Sequence, residues 1–211
     1  MQCRHRPPHI GIVDSRLLRY CSPMRAQPAQ NDAERIASIR AGDVTAFETL
    51  MTEYQRPVLA FIFRMIGDAD EAQDVAQEVF VRAYRAMQAP RFKLRQATLS
   101  TWLFQIARNA AIDTLRKRTR KPFLSLEIFP GFHDTTPSND AQPDEQIAAN
   151  EMQARIAQAL LRLPEDQRTA LVLSVYHEQT HEQIAAILRG STKSVESRIY
   201  RARKKLAQWL L

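Results

Sequence analysis

The sequence predicts an all-α fold of two small helical domains joined by an acidic, Pro-rich linker, and three observations lead there. Apolar residues recur every three or four positions from Ala33 onward, and no segment alternates with the period of two that marks a strand. Only 5 glycines among 211 residues leave few sites for tight hairpins or a phosphate-cradling loop, which disfavours all-β folds and P-loop enzymes. Pro122, Pro130, Pro137 and Pro143 fall among Ser, Thr, Asn and Asp, the composition of a linker. The expected division is a disordered tail over 1–30, a first domain over 31–121, the linker over 122–145 and a second domain over 146–211.

Composition narrows the class. Apolar residues make up 45% and charged residues 25%, as in ordinary globular proteins. Cys3 and Cys21 cannot build a disulfide framework, and no apolar run approaches the ~20 residues of a membrane span. The basic N-terminus has no apolar segment behind it, so it does not read as a secretory signal. A reducing cytoplasm is the expected location. Met24, inside the tail, offers a second possible start. Cys3, His5, His9 and Cys21 match no common zinc spacing.

Each helix has its own signals. Phe47, Leu50, Met51, Tyr54, Val58, Leu59, Ile62 and Ile66 share a stripe, with Pro57 expected to kink or restart it. Gly67 stops that helix, and Asp68 or Asp70 caps the next. Ala72, Val75, Ala76, Val79, Phe80, Ala83, Tyr84 and Met87 form its stripe, and its acidic first turns suit the helix dipole. Pro90 ends it. A loop follows over 89–99, then a helix capped by Ser100 or Thr101, with Trp102, Leu103, Ile106, Ala107, Ala110 and Leu115 inward. Beyond the linker, helical period resumes from Ile147 to Leu163, and Pro164 opens another helix to Tyr176. Thr180-His181-Glu182-Gln183 has capping-box spacing and opens a short helix. Arg189-Gly190-Ser191 is a turn. A last helix carries Val195, Ile199, Ala202, Leu206 and Trp209 inward.

The net charge of +7 hides a partition. From Pro122 to Ala154 there are six acids and no Lys or Arg. Arg91–Lys121 holds nine basic residues with one acid, and Arg189–Lys205 seven with one acid. Two basic blocks around an acidic connector suggest two contacts with a polyanion.

The strongest local motif runs from Thr180 to Lys205: a short helix, a Gly-containing turn and a longer basic helix, which is a helix-turn-helix. Its second helix would enter the major groove, with Lys193, Ser194, Ser197, Arg198 and Arg201 on the polar side. His177-Glu178-Gln179-Thr180-His181 also matches H-E-x-x-H. That zinc chemistry needs both histidines on one continuous helix, and Thr180 as a cap would break it between them. In the first domain, Phe92, Lys93 and Arg95 precede a helix bearing Trp102 and ending in basic residues. Aromatics interleaved with cations suit single-stranded DNA, although Trp102 fits a core position equally well.

Asp74-Val-Ala-Gln77-Glu78-Val-Phe80, Thr101-Trp102-Leu103-Phe104-Gln105-Ile106-Ala107-Arg108-Asn109 and Asp113-Thr114-Leu115-Arg116 resemble region 2 of a bacterial sigma factor. Leu163-Pro164-Glu165, Gln183-Ile184-Ala185 and Ser197-Arg198-Ile199-Tyr200-Arg201-Ala202-Arg203-Lys204-Lys205-Leu206 resemble its region 4. Together, over residues 40–121 and 146–210, the chain is similar to the extracytoplasmic-function group of the sigma-70 family. The resemblance implies a transcription initiation factor without enzymatic activity, metal or cofactor. Its implied partners are the RNA polymerase core, through the β′ clamp and β flap, promoter DNA and an anti-sigma factor. Asp74, Gln77, Glu78 and Phe80 map to the clamp-binding surface. Phe92, Lys93, Arg95, Thr101, Trp102, Arg108 and Asn109 map to minus-ten recognition and melting. Lys193, Ser194, Ser197, Arg198 and Arg201 map to the minus-thirty-five element. The loop before Trp102 lacks the family's small Gly-Ser run, and Glu196 replaces a frequent cation. Facing DNA, Glu196 would repel phosphate but accept from a cytosine amino group.

Two other functions fit parts of the sequence. A helix-turn-helix regulator that never joins the polymerase would leave the acidic helix at 68–78 without a role. A zinc hydrolase would need His177 and His181 together.

Overall fold

The computed structural model describes residues 32–94, 98–120 and 143–210. Among them are eight helices and no strand: α1 Asp32–Arg40, α2 Val44–Ile66, α3 Ala69–Gln88, α4 Leu99–Arg120, α5 Pro143–Leu161, α6 Glu165–Tyr176, α7 His181–Leu188 and α8 Thr192–Leu210. The expected tail with Cys3, His5, His9 and Cys21, most of the expected linker and Arg95 lie outside the described residues.

Helices α2, α3 and α4 pack on one another, with α1 across α2 and α3. Their facing stripes bury Leu50, Val58, Phe61, Ile62, Val79, Ala83, Leu103 and Ala107. Small Ala83 and Ala107 let the backbones approach, and the larger side chains fill the space between. Helices α6, α7 and α8 form the second group, closed by Leu173, Ile184, Ile187, Val195, Ile199 and Ala202.

Caps set most boundaries. Asp43 accepts from the Ala46 amide at 3.2 Å to open α2, and Asp68 accepts from the Glu71 amide at 2.9 Å to open α3. Pro57 does not restart the helix: α2 is one continuous helix through this buried proline. Helix α4 begins at Leu99, two residues earlier than a Ser100 cap allows. Thr98 is the cap, its hydroxyl accepting from the Thr101 amide at 3.2 Å. Helix α5 begins at Pro143, inside the expected linker, where a proline at the first helical position has no amide bond to lose.

The two helical groups share one continuous core, through Leu160, Leu163 and Leu171 beside the α2–α4 residues. The C-terminus of α2 is the seam. Gly67 closes that helix with φ 80°, and a Cβ there would collide with Leu161 of α5. The last carbonyls of α2 have no helical partners, and two arginines answer them: Arg118 donates to Ile66 at 3.1 Å, and buried Arg168 of α6 donates to Met65. Nearby, the His177 ring packs on Phe104 with centroids 4.8 Å apart and on Phe61 at 5.9 Å. Gln179 donates to the Ser100 hydroxyl at 3.3 Å.

Candidate polymerase and promoter interfaces

Helix α3 is amphipathic. Its apolar stripe enters the core, which leaves Gln73, Asp74, Gln77, Glu78, Val81, Arg82 and Arg85 exposed on the other side. Asp74, Gln77 and Glu78 therefore share the outward face the sequence assigns them. Phe80 does not: it is only 4% exposed and belongs to the core, because its place in the 3.6-residue period is with Ala76 and Ala83. The apolar residue presented on that face is its neighbour Val81, 47% exposed, flanked by Glu78 and by Arg82 and Arg85. Glu78 is paired with Arg82 one turn on, at 2.6 Å.

The start of α4 carries an aromatic platform. The Phe92 and Trp102 rings lie 4.8 Å apart at an interplanar angle of 57°, both partly exposed, with Lys93 exposed beside them. Asn109 lies seven residues beyond Trp102, two turns along the same helix face, and is exposed. This arrangement offers a π-face for stacking, a cation for phosphate and an amide for a base edge. Thr101 takes another role: it is 3% exposed, and its hydroxyl is 2.9 Å from that of Thr98, so it braces the cap. Arg108 points to α6, where its guanidinium donates to Asp166 at 2.7 Å.

The helix-turn-helix follows local chemistry closely. Thr180 and Gln183 make a reciprocal capping box, the Thr180 amide donating to the Gln183 side chain at 2.8 Å. Helix α6 ends at Tyr176, with His177 at its C-cap and Glu178 at φ 47°, so the two histidines of the H-E-x-x-H string lie on different helices. Burial, with the Arg64 cation adding to it, pulls the His177 imidazole down to about 3. Arg189 closes α7 at φ 52°, and the Gly190 amide donates to the Ala185 carbonyl at 2.9 Å. Ser191 then caps α8, accepting from the Ser194 amide at 3.2 Å.

Val195, Ile199 and Ala202 anchor α8, which turns Lys193, Tyr200, Arg201 and Lys204 out to solvent. Ser194 and Ser197 are half-buried along the edge of that face. Arg198 folds back onto the Ser194 hydroxyl and reaches Asp166 at 3.4 Å. Sequence reasoning missed Tyr200, 58% exposed, and Lys204. Lys193, Ser197, Tyr200 and Lys204 follow one another at four-, three- and four-residue steps, and that spacing was the available signal.

Comparison with known proteins agrees with this layout. Residues 50–121 match the family model of sigma-70 region 2, and residues 153–206 that of sigma-70, region 4. The chain is 36% identical over 183 residues to the RNA polymerase sigma-H factor of Pseudomonas aeruginosa, covering 84% of this chain and 92% of that one. It is 31% identical over 181 residues to the ECF RNA polymerase sigma factor SigW of Bacillus subtilis, covering 84% and 95%. Among solved structures it resembles CnrH in complex with the cytosolic domain of CnrY, with a TM-score of 0.62, 26% identity and coverage of 86% and 97%. It also resembles the sigma factor RpoE of Bartonella quintana, in complex with the anti-sigma factor NepR, with a TM-score of 0.61, 25% identity and coverage of 79% and 98%. With an acidic helix and an aromatic platform in the first group of helices and a basic recognition helix in the second, matched in that order, the chain belongs to the sigma-70 family, among its extracytoplasmic-function members.

Proposed function

We propose that this chain joins the RNA polymerase core in the cytoplasm and directs it to particular promoters, dividing three contacts among three surfaces. Asp74, Gln77 and Glu78, with Val81 among them, dock on the basic clamp of the polymerase β′ subunit. Phe92, Lys93, Trp102 and Asn109 capture unpaired minus-ten bases, which stack on the rings while Lys93 neutralises phosphate. Arg95 is assigned to the same element from its sequence position. Lys193, Ser197 and Arg201, joined by Tyr200 and Lys204, meet the minus-thirty-five duplex in the major groove, beside the polymerase β flap. The phosphodiester chemistry belongs to the polymerase, so no catalytic residue or cofactor is assigned here. An anti-sigma factor is a further partner of the kind seen with the Bartonella relative.

One observation carries this reading above the others: one chain presents both an exposed α3 face bearing Asp74 and Glu78 and an exposed basic face on α8. A regulator that binds duplex DNA alone has no use for the first surface. The test is run-off transcription with purified core polymerase on genomic promoter fragments. Start sites that require the protein and vanish in the Asp74→Ala/Glu78→Ala double variant are expected. A double variant that still pulls down core polymerase and still directs transcription overturns the α3 assignment.

A further inference from the structure

Helix α1 precedes the segment matched to region 2, which begins at residue 50. It is nonetheless bonded to both flanks of the aromatic platform. At its C-terminal end, Arg40 donates from Nη2 to the Phe92 carbonyl at 2.9 Å and from Nε to the Met87 carbonyl at 3.4 Å. Gln88 donates from Nε2 to the Ile39 carbonyl at 2.8 Å. At its N-terminal end, the Asp32 carboxylate accepts from the Leu99 amide at 2.7 Å. Leu99 is the first residue of α4, and Trp102 stands one turn further on.

These bonds act on two backbone points that set the platform. The Leu99 amide is one of the four donors that a helix N-terminus leaves without a partner. A carboxylate from another helix satisfies it and also suits the positive end of the α4 dipole. The Phe92 carbonyl fixes the chain that carries the other ring. Asp32 and Arg40 are eight residues apart, which is about 12 Å along a helix axis. Ile36 and Ile39 between them are 7% and 0% exposed, so α1 is fastened to the core and holds its two ends at constant separation. The spacing between Phe92 and Trp102 is thereby referred to a rigid element that carries neither ring.

We infer that Asp32 and Arg40 are positioning residues for minus-ten capture, with α1 a splint that holds Phe92 and Trp102 at the separation an unpaired base needs. This rests on the minus-ten reading of the platform given above. A carboxylate has no attraction for phosphate, so an effect at Asp32 on DNA binding acts through Leu99 and α4. Loosening either end lowers affinity for the unpaired strand and its sequence discrimination together, while docking on the polymerase through α3 stays intact.

The experiment uses holoenzyme made from core polymerase and the full chain. Its probes are a short fluorescent single-stranded oligonucleotide, copied from the minus-ten segment of a promoter mapped by run-off transcription, and a scrambled version. Asp32→Ala and Arg40→Ala are each expected to lower affinity for the matched strand by about tenfold, the loss of one stacked base, and to shrink the matched-to-scrambled ratio. Core affinity should be unchanged, and Asp32→Asn, which keeps an acceptor oxygen, should restore most of the loss. An unchanged ratio in both variants, while Phe92→Ala and Trp102→Ala reduce it, overturns the inference and leaves the minus-ten reading standing. An unchanged ratio in the Phe92 and Trp102 variants as well overturns both. A loss that tracks a fall in core affinity overturns the inference, because α1 would then be supporting the whole domain.

Discussion

The Arg108 guanidinium of α4 is 2.7 Å from the Asp166 carboxylate of α6, so a basic residue assigned to the minus-ten surface is neutralised by an acid from the helix-turn-helix half. Arg198, assigned to the minus-thirty-five surface, reaches the same carboxylate at 3.4 Å. One acid thus holds a cation from each DNA-facing group. Asp166 is 45% exposed, so solvent screens both pairs and each is worth only about 0.2–1 kcal/mol.

Removing that acid should release both arginines. Asp166→Ala is expected to raise the affinity of the free protein for duplex DNA by roughly 2–5-fold, as one such screened pair allows. Fluorescence anisotropy at low salt measures it, and the gain should shrink as salt rises. Affinity that is unchanged or lower in the variant would show that the pair does not restrain either arginine.

On α8 the exposed residues divide into two kinds of contact. Arg201 has a guanidinium free to make a bidentate base contact, so Arg201→Ala should cost ~1–3 kcal/mol and relax preference at one base pair. Lys204 lies on the same exposed face two turns from Ser197 and suits phosphate. Lys204→Ala should weaken all duplexes alike and reduce the salt slope by about 0.9. Arg198→Ala should cost less than Arg201→Ala, because Arg198 is already engaged with Ser194 and Asp166. Binding isotherms for promoter and unrelated duplexes at several salt concentrations separate these outcomes.

Phe80 and Val81 are adjacent, yet they should fail in different ways. Phe80 is buried in the α2–α4 core, so Phe80→Ala should destabilise the fold by ~3–5 kcal/mol and reduce polymerase binding only through unfolding. Val81 is exposed on the α3 face beside Glu78, so Val81→Asp should leave the denaturation midpoint nearly unchanged while weakening capture of core polymerase. Equal loss of stability in both variants would remove Val81 from the docking surface.

The Phe80 case shows what the sequence reveals and what it hides. Periodicity was enough to order the helices and to put Asp74, Gln77 and Glu78 on one face, since a face is set by residue spacing alone. The same spacing puts Phe80 inward; it was grouped with its neighbours through the resemblance of the whole stretch. Thr180 and Gln183 were legible because a capping box is a four-residue device. Asp166 was not: in sequence it is an ordinary first-turn acid, and its role depends on two arginines 58 and 32 residues away. Asp32 was hidden for the same reason, its partner Leu99 being 67 residues on. Pro57 misled as a possible restart because the propensity penalty of a proline is local, whereas α2 continues through it as one helix with Pro57 itself buried in the core.

Burial of His177 ties stability to pH. Its folded pKa, about 3, lies below the ordinary value of 6.5, so between those values the unfolded chain binds a proton that the folded chain refuses. Stability is therefore fully present above pH 6.5 and is lost as pH falls below it, at about 1.4 kcal/mol per unit. By pH 5 the loss is about 2 kcal/mol, before ordinary carboxylates begin to titrate. His177→Phe keeps a ring against Phe61 and Phe104 and removes the buried Nε2 that has no hydrogen-bond partner. Denaturant midpoints at pH 5, 6 and 7.5 should fall toward acid in the parent protein and stay level in this variant. Parallel curves for the two proteins would mean that His177 is not held neutral in the fold.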